Sequence, residues 1–191
     1  MNPVDRQQGD LKAEVVRSLR AASMLVRLQP DGLRCFNLTI EGFWRSFLSA
    51  AIVFPGAIFI FYVQNVQAGN PVTFENLART SLIFVLSWLK FPLLSLAFVR
   101  FFKLGDRYLP LIIASNWVSA CVMAIFIAVL LVTSLMPPAL GQLLLLFAFV
   151  GALYVQWFVL KIALRAPAVT VLGLFTLDLL VEEVIHQLLA G

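Results

Sequence analysis

The chain has 191 residues, of which 61% are hydrophobic and 13% charged, and its formal net charge is +4. Its mean hydropathy is +0.95, whereas soluble domains run at about 45–50% apolar and about 25% charged. This balance excludes a soluble globular domain, a disordered chain and a disulfide scaffold, and it leaves an integral membrane protein.

Residues 1–10 are polar and no short apolar stretch with a cleavage site follows, so no secretory signal is expected. Residues 11–28 predict an amphipathic helix. Leu11, Val15, Leu19, Ala22 and Val26 recur at helical spacing, and Lys12, Arg17, Arg20 and Arg27 supply positive charge. A basic amphipathic helix ahead of a span is expected in the lipid headgroup layer, where each Lys or Arg near anionic lipid contributes about 1 kcal/mol. The alternative is a cytoplasmic helix docked on the bundle or on a partner protein. Pro30-Asp31-Gly32 is a turn that ends the helix, and residues 1–45 together form a cytoplasmic N-terminal segment.

A helix needs about 20 mostly apolar residues to cross the hydrocarbon core. Five segments meet that length: 46–63, 77–99, 109–135, 139–160 and 168–189. The spacers are polar at 64–76, basic at 100–108 and short at 161–167. Pro137 and Pro138 cannot continue a helix and mark a tight hairpin between the third and fourth spans. The apolar runs are continuous rather than alternating, which selects helices over barrel strands. The expected fold is all-α: a five-helix transmembrane bundle over 46–191 with an interfacial N-terminal helix.

Lys and Arg set the orientation. Arg6, Lys12, Arg17, Arg20, Arg27, Arg34 and Arg45 precede the first span. Arg100, Lys103 and Arg107 lie in the second connection, and Lys161 and Arg165 in the fourth. With five spans these all fall on one side, against Arg79 on the other. The expected N-terminus is cytoplasmic and the C-terminus lies across the membrane.

Ionisable residues within spans are costly and are the first functional candidates. Lys90, in the second span, and Asp178, in the fifth, fall at similar depth. An ion pair between them would remove two unpaired buried charges. Two other outcomes compete: snorkelling of Lys90 and protonation of Asp178. Asp178, Glu182 and His186 follow at intervals of four and share a helix face, with Glu183 beside them. This stripe is either a proton or cation path or, for Glu182, Glu183 and His186, a set of groups already solvated at the outer interface. The second alternative is favoured for those three. Asn116, in the third span, is expected to hydrogen-bond to another helix.

Cys35 and Cys121 are too far apart along the topology for a disulfide, and no metal site is implied. Glu183 and His186 have the Glu-x-x-His spacing of di-iron bundles, but the chain has one histidine and no second motif. No nucleophile elbow and no Gly-rich phosphate cradle is present. No enzyme activity, no cofactor and no nucleic-acid binding is expected, since topology already accounts for the basic residues.

A polar N-terminal segment, five closely spaced spans and a minimal C-terminal tail resemble the Yip1 superfamily of small membrane proteins. Glu41-Gly42-Phe43-Trp44-Arg45-Ser46-Phe47 and Ala114-Ser115-Asn116-Trp117 are similar to short segments of proteobacterial inner-membrane proteins. The resemblance implies a non-enzymatic protein acting through partners or on the bilayer itself. The expected role is a scaffold, an accessory subunit of a membrane complex or a membrane organiser in a bacterial cytoplasmic membrane. Its partners would be the lipid bilayer and another membrane protein or a second copy of the chain. The alternative is a small transporter or proton- or cation-conducting protein using Lys90, Asp178 and Glu182.

Overall fold

The computed structural model describes the backbone of residues 3–190 and the side chains of 11–189. Arg6, counted in the charge balance above, lies outside the described side chains. Seven α-helices are present among the described residues: α1 (Pro3–Val26), α2 (Ile40–Ser46), α3 (Leu48–Gln67), α4 (Phe74–Phe101), α5 (Tyr108–Thr133), α6 (Pro138–Leu164) and α7 (Ala168–Ala190). Short 3-10 turns at Pro30–Cys35 and Gly105–Arg107 precede α2 and α5.

Local chemistry accounts for the ends. Thr39 caps α2 by accepting from the Gly42 amide at 3.1 Å, and Thr73 caps α4 by accepting from the Asn76 amide at 3.2 Å. Each cap satisfies one of the amides that a helix start leaves without a partner. After α3, Gly69 takes φ +70 and the Asn70 amide reaches back to the Asn65 carbonyl at 2.9 Å. A left-handed residue followed by such a return bond is a Schellman stop, and glycine enters that conformation without a Cβ penalty. At α6 the proline pair starts the helix, with Pro138 at its first position, where no amide is needed.

Four stretches are long and apolar enough to cross a membrane: Ile40–Gln67, Phe74–Phe101, Gly105–Thr133 and Pro138–Leu164. The fifth expected span, α7, is long enough at 23 residues. It differs in charge, because Asp178, Glu182 and Glu183 fall within its central turns. Isolated carboxylates at those positions would be expensive in hydrocarbon. The helices also overrun the predicted limits. The first span is divided into α2 and α3, and α4 and α6 extend past 77–99 and 139–160 at both ends. Polar end residues keep helical backbone bonds wherever a cap, not hydrophobicity, sets the boundary.

The buried core sits at one end of the bundle. There α3, α5 and α7 begin while α4 and α6 finish. One cluster packs Ala21, Ala22 and Leu25 of α1 against Ile113, Ala114, Trp117 and Val118 of α5 and Val159 of α6. The other joins Val99, Leu111, Ile112, Leu160, Leu164, Val171 and Leu174 from α4, α5, α6 and α7. Beyond Ala120 only Leu130 of α5 is buried, and Ile125, Leu131 and Val132 are exposed.

The position of α1 differs from an interfacial helix that meets only lipid. Its buried face is Glu14, Ser18, Ala21, Ala22 and Leu25, one position round the helix from the predicted stripe. Ala and Ser allow close approach to α5. Glu14 is compensated: it accepts from Asn37 Nδ2 at 3.0 Å and pairs with Arg45, which also pairs with Glu41. The α2 start crosses so near this junction that a Cβ on Gly42 would lie 1.9 Å from the Asn37 carbonyl oxygen. Lys12, Arg17, Arg20 and Arg27 all lie on the exposed side of α1.

Candidate functional site

Where the packed end gives way to the open half, α4 and α7 are tied by charge. Lys90 Nζ lies 2.8 Å from Asp178 Oδ1 and 2.7 Å from Glu182 Oε2. It also donates to the Asp178 main-chain carbonyl at 3.0 Å. Three oxygens thus surround an ammonium whose side chain is 8% exposed, and an ammonium has three donors to give. The helical spacing of Asp178 and Glu182 makes this possible: residues four apart present both carboxylates to one point on the facing helix. Ser87, one turn before Lys90 on α4, donates to Glu182 Oε1 at 2.7 Å.

The sequence pairs Lys90 with Asp178 alone. Here Glu182 is a second partner of Lys90, with its side chain a third exposed. His186 Nε2 lies 3.4 Å from Glu182 Oε1 and is half exposed. Glu183 turns away from Lys90; it is exposed and accepts from Gln187 at 2.8 Å. The stripe therefore divides into an inward pair, Asp178 and Glu182, and an outer pair, His186 and Glu183. Among the described residues no group of three His, Cys, Asp or Glu could hold a metal ion.

The cluster opens on a cavity of about 220 Å³ between α4, α5, α6 and α7. Its walls add Ser115, Asn116 and Ser119 from α5 and Gln156 from α6. Asn116 is buried and donates to Ser46 Oγ of α2 at 2.9 Å, so its amide ties α5 to the start of the first long helix segment. Ser115 is 3% exposed and its hydroxyl has no partner. Asp178 Oδ1, although close to Lys90, receives no well-aligned hydrogen bond. An unpaired buried hydroxyl costs about 1–3 kcal/mol, and Ser115 Oγ is such an atom on this wall.

Ser87, Ser119 and Gln156 were not prominent as sequence features, because single uncharged polar residues barely lower the hydropathy of a span. The available signal is spacing. Ser87 and Lys90, Ser115 and Ser119, and Asp178 and Glu182 each stand three or four apart, giving three helices one polar face apiece.

By formal charge the cluster holds one cation and two carboxylates. The nearest further titratable group is His186, the only histidine of the chain. No ionisable residue of α5 or α6 lines the cavity. The arrangement can therefore hold a surplus negative charge and stabilise a small cation or a proton beside it.

Comparison with known protein families, curated proteins and solved structures finds no match.

Proposed function

We propose that the chain is a five-span protein of a bacterial cytoplasmic membrane and acts as a small transporter that handles protons or cations at Asp178 and Glu182. In this reading α7 crosses the bilayer, its two inward carboxylates offset by Lys90, and the Lys/Arg balance puts the N-terminus in the cytoplasm and the C-terminus outside. The observation that carries the reading is the charge imbalance of the partly buried cluster, two carboxylates to one ammonium, at the edge of a polar cavity. A purely structural tie between helices would favour matched charge, because unpaired buried charge is penalised. The surplus is useful only if an exchangeable cation neutralises it.

A second reading is a non-enzymatic scaffold or accessory subunit, in line with the Yip1-like arrangement of segments. It is supported by the apolar residues exposed along the open half, such as Phe147 and Val150 of α6, which suit a partner helix as well as lipid.

Purified protein in liposomes carrying a pH-sensitive dye separates the two. The transport reading predicts proton flux in the wild type and its loss in Asp178→Asn at unchanged expression. The scaffold reading predicts no flux in either protein, with assembly or stability reduced in the variant.

A further inference from the structure

The polar cavity does not end at its polar wall. A second cavity of about 350 Å³ adjoins it, and the two share Trp88, Ser119 and Gln156. Away from that shared rim the second chamber is apolar, lined by Val53 and Ile60 of α3, Met123 and Phe126 of α5 and Leu153 of α6. Together the chambers fall within the size of small-molecule sites, about 300–1,000 Å³. Both chambers are half open rather than enclosed, so a ligand can enter them from outside the bundle.

We infer that the two chambers form one binding site for an amphipathic cation, with an ammonium head beside Asp178 and Glu182 and a hydrocarbon body among Val53, Ile60, Met123 and Phe126. The inference rests on the cation-handling reading and names its substrate class.

Three observations select the head. Lys90 already has three oxygens at 2.7–3.0 Å, so an anionic head brought to it would lie against two carboxylates. The two carboxylates leave a surplus negative charge that a neutral head would not offset. The Ser115 hydroxyl is buried and unpartnered in a residue of the polar wall, and by turning about its side-chain bond into the cavity it would accept an N–H. His186 is the other titratable group near Glu182; protonated, it would compete with the ligand for the same carboxylate.

The body is selected by the second chamber. An alkyl chain there gains dispersion contacts with the apolar wall. Met123 adapts to varied shapes, and the Trp88 ring at the junction of the chambers suits the positive edge of the head.

The test is equilibrium binding of radiolabelled decylammonium to the full chain in nanodiscs, with decanol and decyl sulfate as matched neutral and anionic competitors. Saturable binding of one decylammonium per chain is expected, poorly displaced by either competitor. Glu182→Gln should weaken it by roughly tenfold or more, as loss of a buried charge partner does. Ala152→Phe, which fills the apolar chamber without touching the ions, should weaken it similarly and keeps the test alive if the charge variant does not fold. Non-saturable uptake, equal competition by decanol or decyl sulfate, or binding unmoved by Ala152→Phe would overturn the inference. Proton flux without saturable decylammonium binding would reject the substrate class and leave the transport reading intact. Saturable binding without flux would keep the site and reject transport.

Discussion

The two ends of the bundle are built differently from similar residues. At the end where α5 begins, its residues 111–118 are all buried, enclosed by α1, α2, α6 and the start of α7. At the other end the same helix exposes Leu131 and Val132, and its hairpin partner α6 exposes Leu140, Leu143 and Leu146. Composition does not explain the contrast, since both halves are rich in Leu, Val, Ile and Ala. Cover does: α1 and α2 pack only on the first end. In a bilayer, lipid-facing apolar surface carries no penalty, so the second half needs no such cover. It is free to hold cavities. The Lys90 cluster stands at the boundary, just beyond the last buried residue of α7, Leu174.

The contrast gives an ordered set of expected effects, each read by unfolding in mixed detergent micelles. Lys90→Met should be the most damaging, since it leaves Asp178 without its cation and Glu182 with only Ser87 and His186; losses of about 3–5 kcal/mol follow from breaking a buried pair on one side. Lys90→Met/Asp178→Leu/Glu182→Leu should recover much of that loss, because it removes every charge together. Trp117→Ala at the packed end empties a fully enclosed site and should cost about 3–5 kcal/mol, with less loss wherever α1 can collapse inward. Glu14→Ala removes the acceptor for Asn37 and Arg45 and should cost about 1–3 kcal/mol, loosening α1 in particular. Proteolysis at the α1–α2 connection reports that loosening. Leu131→Ala, in the open half, should shift stability by no more than about 0.5 kcal/mol. Equal losses at Trp117 and Leu131 would erase the distinction between the two ends.

Four of the membrane-length helices are legible in the sequence because the solvent is hydrocarbon and length alone selects them. The fifth helix is present as a helix, but its carboxylates make its apolar length ambiguous until Lys90 is placed against them. The α1 stripe was displaced by one position for a related reason. Glu14 and Ser18 read as polar, and only the pairing of Glu14 with Arg45 and Asn37 turns that face inward. The site shows the same limit. Lys90, Asp178 and Asn116 stand out as polar residues within apolar stretches. The entry of Glu182, and the joining of Ser87, Ser119 and Gln156 in one wall, depends on which helices are neighbours, and hydropathy carries no such information.

The central claim is that the cluster carries an exchangeable proton when no other cation is present. Infrared difference spectra between acid and alkaline pH, taken in buffer free of alkali-metal ions, test it directly. A carboxylic-acid C=O band that titrates in the wild type and disappears in Asp178→Asn or Glu182→Gln is the predicted result. A wild-type spectrum with no titrating buried carboxylic acid, or one whose band survives both substitutions, would contradict the account and leave Lys90 as a structural tie between α4 and α7.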